Sequence, residues 1–138
     1  MRRIFILLSI IMSLSALPEA VIRAAEQGPP CEKRPDLVGA CFVVHGRLSF
    51  YNGNPSFRIW RIGTKRILGV SDWQIIGDES AELANLRLPP DIQKRLQSDI
   101  FRTDIFGDFT VCPLSVERPG WMQDICIAHA ENLVAKPR

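Results

Sequence analysis

The chain has 138 residues, with 17 basic and 15 acidic side chains and a formal net charge of +2. This length suits a single domain with one modest hydrophobic core. The near balance of charges excludes the strongly basic composition that is typical of general nucleic-acid binders.

The amino terminus has the pattern of a signal peptide. Arg2 and Arg3 precede a mostly apolar stretch at 4–17, which is shorter than the roughly 20 residues that a spanning helix needs. Small residues at Ala20 and Ala24 predict cleavage after residue 20 or 24. We therefore expect a periplasmic or secreted protein with no stable membrane span after cleavage. An uncleaved amino-terminal anchor is the alternative.

Cleavage changes the charge balance. Removal of residues 1–24 takes away three arginines and one glutamate, which leaves 14 basic and 14 acidic residues. The mature chain then has zero formal net charge, and nucleic acid is not supported as a general partner.

All four cysteines follow the predicted signal peptide. An even number in an exported chain predicts two disulfides, for which three pairings are open. The spacings C-x9-C and C-x13-C lack the C-x2-C pair that structural zinc sites usually use, so we predict neither a metal nor another cofactor. The predicted elements favour the pairs Cys112–Cys126 and Cys31–Cys41.

The first half of the mature chain predicts an irregular arm at 25–40, followed by a folded domain at 41–134. From 41 to 51 apolar and polar residues alternate, which indicates a strand with one buried face. Gly46 falls on the apolar side, where a barrel strand often bends or admits a neighbour. Asn52-Gly53 favours a hairpin into a second strand at 56–62, and a third strand follows at 66–70.

The second half predicts one helix and two further strands. Pro89-Pro90-Asp91 is a good helix start, and Ile92, Leu96 and Ile100 then recur at helical spacing over about three turns. Residues 78–88 are a second candidate helix. The strands are predicted at 109–114 and 123–130.

The predicted order is strand, strand, strand, helix, strand, strand. At this length it resembles the oligonucleotide/oligosaccharide-binding (OB) fold. The resemblance implies a mainly β, five-stranded barrel with one or two short helices between its third and fourth strands. A more specific likeness rests on four motifs, and it is to small exported proteobacterial proteins of unknown function, so it implies no activity. The motifs are His45-Gly46-Arg47-Leu48, Tyr51-Asn52-Gly53, Arg58-Ile59-Trp60 and Ile62-Gly63-Thr64.

A charge asymmetry indicates the candidate site. No acidic residue lies between Asp36 and Asp72, a stretch that holds five basic residues and five aromatic ones. The second and third strands usually form the ligand face of OB-like barrels, where basic groups attract polyanions and aromatic rings stack on bases or sugars. The candidate ligand-binding residues are His45, Arg47, Tyr51, Arg58, Trp60 and Arg61.

Other interpretations stay open. The same strands could form an ordinary solvated face, with Trp60 in the core and the arginines paired to the acidic middle segment. We predict an exported, non-catalytic binding module for an anionic polymer or an envelope protein. The alternatives are a structural or accessory subunit of a cell-envelope assembly, and a small hydrolase with an unrecognised site. No G-x-S-x-G, H-E-x-x-H or S-x-x-K motif is present.

Overall fold

A computed structural model describes residues 29–71, 88–96 and 99–138. The predicted signal peptide and all but the last residue of the candidate helix at 78–88 lie outside these ranges. No helix within them is long and apolar enough to cross a membrane. The elements are a 3-10 turn (Cys31–Lys33), β1 (Phe42–Phe50), β2 (Phe57–Arg61), β3 (Ile67–Val70), α1 (Pro90–Leu96), β4 (Thr103–Pro113) and β5 (Gln123–Pro137).

The five strands form one sheet. β1 pairs antiparallel with β2 and with β4, β2 pairs antiparallel with β3, and β4 pairs antiparallel with β5. β3 and β5 run parallel to each other and complete the circle, so the order β1-β2-β3-β5-β4 closes into a barrel. The predicted mainly β class, with a short helix between β3 and β4, is confirmed.

The core lies inside this closed sheet. Val44 and Leu48 point inward from β1, as their alternation predicts, and join Ile59 and Phe109 in one buried cluster. Ile92 of α1 is completely buried in the same cluster. The helix therefore contributes its apolar stripe to the barrel core.

Gly46 allows β1 and β2 to pack closely. A Cβ atom at this position would lie 2.5 Å from Cγ2 of Ile59, which no real side chain tolerates without a shift. The inward row of β1 thus leaves room at Gly46 for a side chain of the neighbouring strand.

The last three elements differ in length from their predicted bounds. α1 ends at Leu96, and Ile100 lies in a turn but still packs against the core. β4 begins at Thr103 and β5 continues to Pro137, both beyond the predicted ends. Polar residues such as Asp104 interrupt the apolar pattern in the added parts, yet the ladder between β4 and β5 holds them as strands.

The two expected disulfides are present, but the pairing favoured above is wrong. Cys31 bonds to Cys126 and Cys41 bonds to Cys112, so all four thiols are used. Cys112 and Cys126 do face each other across β4 and β5. However, β4 also pairs with β1, and Cys41 directly precedes that strand and lies close enough to bond Cys112. The choice between two neighbours is therefore made by the barrel and not by strand adjacency alone.

Candidate functional site

The candidate residues on β1 and β2 mostly occupy the outer face of the barrel. Arg47 stands opposite Trp60 in the β1–β2 ladder, and Ser49 stands opposite Arg58. Because side chains alternate along a strand, these residues point away from the row that holds Leu48 and Ile59. Trp60 is therefore a half-exposed residue of the outer surface rather than part of the core.

Arg47 and Trp60 form a stacked pair. The guanidinium carbon of Arg47 lies 5.3 Å from the centroid of the indole ring, within the range of a cation–π interaction. The indole Nε1 of Trp60 donates a 2.8 Å hydrogen bond to the carbonyl of Thr64 in the turn after β2. The hydrogen bond at its edge thus fixes the indole ring of Trp60, and the guanidinium group of Arg47 lies over the face of that ring.

Three arginines meet around one tyrosine. The guanidinium carbons of Arg58 and Arg138 lie 5.0 and 5.1 Å from the centroid of the Tyr51 ring. The hydroxyl of the same tyrosine lies 3.4 Å from Nη2 of Arg47. We call Arg47, Arg58 and Arg138, together with Tyr51, the arginine cluster.

One buried carboxylate lies beneath this cluster. Asp104 is only 6% exposed, and its Oδ1 accepts hydrogen bonds from Ser49 Oγ at 2.7 Å and from Arg138 Nη2 at 3.0 Å. Its other oxygen is 3.8 Å from Nη1 of Arg47. Within the described residues, Asp104 is the one acidic side chain that pairs with these arginines, so three guanidinium groups share one side-chain carboxylate.

The excess charge is concentrated. Since Arg58 and Arg138 both lie over one ring, their guanidinium carbons are within about 10 Å of each other, which does not exceed the Debye length in ~0.1 M salt. Nε of Arg47 is buried and has no hydrogen-bond partner among the described residues. A bound anion would relieve the repulsion, because guanidinium groups are the preferred partners of carboxylate and phosphate-type oxygens.

His45 points to the same outer face but belongs to a separate group. Its Nδ1 lies 2.8 Å from Oδ1 of Asp108, the residue opposite it on β4. The amide of Asn132 donates a 2.7 Å hydrogen bond to Oδ2 of the same carboxylate. The Asn132 and His45 hydrogen bonds hold the pKa of Asp108 below its usual value. His45 is therefore committed to Asp108 and does not contact the arginine cluster.

The predicted site and the arginine cluster also differ at Arg61 and Arg138. Arg61 is exposed at the end of β2, opposite Gly46, and alternation separates it from the outer row that carries Arg58 and Trp60. Arg138 is part of the arginine cluster but was not among the candidates, because the last strand was predicted to stop at residue 130. A predicted strand that ran on to Pro137 would have placed Arg138 at its end, next to the rest of the sheet.

A shallow cleft of about 430 Å³ continues the basic surface towards the β4–β5 loop. Trp121 and Met122 are among its lining residues, and Trp121 is 73% exposed. Arg66 is held in place by Glu117 at 2.9 Å and by the carbonyl of Arg118 at 3.2 Å. The lining residues are Arg58, Lys65, Arg66, Ile67, Gly120, Trp121 and Met122.

Comparisons with protein-family models, with curated proteins and with solved structures found no match to this chain. What the surface can bind therefore follows from its own geometry. Of the six sequence candidates, four form one connected group. Arg47 contacts both Trp60 and Tyr51, and Arg58 lies over the ring of Tyr51. The structure also places Arg138 in this group and the cleft beside it. Together these residues form a cationic surface on which arginines lie over the rings of Tyr51 and Trp60.

Proposed function

We propose that this protein is an exported, non-catalytic binding module that holds an anionic ligand on the arginine cluster. The observation that carries the proposal is the convergence of Arg47, Arg58 and Arg138 on Tyr51, with Asp104 as the one acidic side chain paired to them among the described residues. Guanidinium groups held by rings and by a buried acid are preorganised, so little side-chain entropy is lost when an anion binds.

The architecture supports an OB-like assignment as part of this proposal. Five strands close into a barrel, with α1 in the connection between β3 and β4. The candidate residues lie on and beside β1 and β2, and the cleft adds residues at the start of β3. Small barrels of this type use such strands and adjoining loops to bind oligonucleotides and oligosaccharides.

Export is the third part of the proposal. Both disulfides fit an oxidising compartment, because cytosolic thiols are kept reduced. The apolar segment after Arg2 and Arg3 supports a signal peptide, with cleavage after residue 20 or 24.

The binding proposal can be tested with dextran sulfate as the probe, by isothermal titration calorimetry of the mature protein. We expect saturable binding that weakens as salt is raised, because the attraction is electrostatic. The double variant R47A/R58A should bind at least about tenfold more weakly, since each lost charge-assisted contact is worth roughly 1.5–3 kcal/mol.

Lys94 supplies the matched control, because it is an exposed cation on α1, outside the arginine cluster. K94A should bind dextran sulfate as the wild type does. Equal binding by R47A/R58A and wild type, with both proteins folded by circular dichroism, would refute the site.

A second candidate function rests on apolar groups of the outer face. Ile67 and Val134 are 42% and 52% exposed and stand in the same cross-strand row as Trp60, Arg47 and Phe106. Such a row favours an accessory subunit that docks on an envelope protein. Salt separates the two functions, since an apolar interface responds little to ionic strength whereas an anion site weakens.

A further inference from the structure

The cleft and the arginine cluster share a residue. Arg58 lies over Tyr51 and also lines the cleft beside Lys65 and Arg66. Cations therefore follow one another from the arginine cluster to the β4–β5 loop. Among the described residues, Glu117 is the acid that pairs with a cation of the cleft, Arg66, and its side chain is 63% exposed. A ligand that used the whole path would carry acidic groups at several points along its length.

Trp121 offers the free aromatic face on this path. The residue is 73% exposed and lines the cleft next to Met122. The backbone N–H of Trp121 donates to the carbonyl of Arg118 at 3.2 Å, and Met122 lies close to Gly69 of β3. The ring thus stands on a loop that is tied to the barrel. An exposed indole of this kind gains free energy when the apolar face of another ring covers it.

The rings of Tyr51 and Trp60 already have cations over them. Two guanidinium groups lie over Tyr51, and one lies over Trp60. Proteins that bind single-stranded nucleic acid by stacking present successive free rings to successive bases. Among the described residues of the arginine cluster and the cleft, Trp121 is the one ring without a cation over it, whereas cations are several, which favours a ligand recognised chiefly by its acidic groups.

From these observations we infer that the ligand is a linear acidic polysaccharide. Its acidic groups would bind the arginine cluster and the cations of the cleft, and one sugar ring would pack on Trp121. The inference rests on the proposed function and adds to it the polymer class, a second subsite at Trp121 and a path for the chain past Arg58.

The test uses heparin-derived oligosaccharides of increasing length, titrated into the mature protein by calorimetry. We expect affinity to rise with length until one chain reaches from the arginine cluster to Trp121, and to level off beyond that length. W121A should weaken binding of the dodecasaccharide about tenfold and leave the disaccharide within about twofold, because only the long chain covers the indole. Wild-type tryptophan fluorescence should change with the dodecasaccharide, and W121A should lose most of that change.

Val116 provides the control in the same loop, since it is 65% exposed but does not line the cleft. V116A should bind both oligosaccharides as the wild type does. If the disaccharide and dodecasaccharide bind equally and W121A changes neither, the extended site is refuted while the anion-binding function stands. If no oligosaccharide binds, the proposed function fails as well. Tighter binding of a single-stranded oligodeoxynucleotide than of the dodecasaccharide would overturn the polysaccharide class.

Discussion

Asp104 determines how three arginines can be held together on a small barrel. Its carboxylate accepts from Ser49 and Arg138 and lies near Arg47, so it lowers the repulsion within the arginine cluster. Burial of this charge is tolerated because its hydrogen bonds are made. The residue has no role that the sequence alone could indicate, since its partners lie far away in the chain.

Replacing Asp104 tests this contribution. D104N keeps an oxygen that can accept the hydrogen bond from Ser49, but it removes the negative charge that pairs with Arg138. We therefore expect the free energy of unfolding to fall by about 1–3 kcal/mol. Urea denaturation followed by circular dichroism measures the change. E117Q is the control, because Glu117 is 63% exposed and loss of its pair with the half-buried Arg66 should cost no more than about 1 kcal/mol. A D104N variant as stable as E117Q would contradict the argument.

The hydrogen bonds of Asp108 with Asn132 and His45 predict that the stability of the protein depends on pH. A lowered folded-state pKa stabilises the protein above the ordinary aspartate pKa, and this stabilisation is lost as pH falls through the folded pKa. Asn132 is the main cause, and its φ of 54° lets glycine replace it without backbone strain. In N132G the pKa of Asp108 should rise towards its usual value in a carboxyl NMR titration. An unchanged pKa in N132G would show that the amide hydrogen bond is not the cause.

At the scale of elements, close packing of β3 sets the position of the cleft. Pro55 of the β1–β2 loop and Met122 of the β4–β5 loop both lie over Gly69. A Cβ at Gly69 would be 2.5 Å from Cγ of Pro55 and 3.3 Å from Sδ of Met122. The absence of a side chain on β3 therefore lets two loops approach each other at the edge of the basic surface.

G69A tests that packing. We expect a loss of about 1–3 kcal/mol in the free energy of unfolding, because the rigid proline ring must move to admit a methyl group. Chemical denaturation gives the value, and amide NMR shifts around Met122 report the displaced loop. G39A is the matched control, since a Cβ there would make an ordinary 3.4 Å contact with Pro113. Equal stability of the two variants would refute the packing role of Gly69.

The same scale shows which elements can be predicted from the chain. The alternation at 41–51 predicted β1 because one face is buried and the other is solvated. β5 is longer than predicted because its last residues, including Val134 and Lys136, are held by the ladder with β4 rather than by burial. Periodicity detects burial, so it fails where pairing alone makes a strand.

For the whole molecule, the disulfides tie the barrel to the arm before it. Cys31 lies in the 3-10 turn and is bonded to β5 across 95 residues of sequence, and Cys41 is bonded to β4 across 71. Both bonds restrict the unfolded chain over most of the described domain. Long closed loops give the larger entropic stabilisation in the chain-entropy model.

Removing one bond measures that effect. C31A/C126A should lower the free energy of unfolding by about 2–4 kcal/mol, and C41A/C112A should lower it by a similar amount because stabilisation depends only weakly on loop length. Thermal unfolding of both double variants and the wild type gives the comparison. A loss below about 1 kcal/mol in C31A/C126A would show that the arm contributes little to domain stability.

The sequence by itself determined the mainly β class, the alternating strand β1, the start of α1 and the presence of two disulfides. Each depends on local information: the period of burial, the proline and aspartate at a helix start, or the number of cysteines. Only the tertiary structure decided the cysteine pairing, the place of Arg138 beside Tyr51 and the junction of the cleft with the arginine cluster. These depend on which strands become neighbours when the sheet closes, and closure joins residues that no local pattern relates.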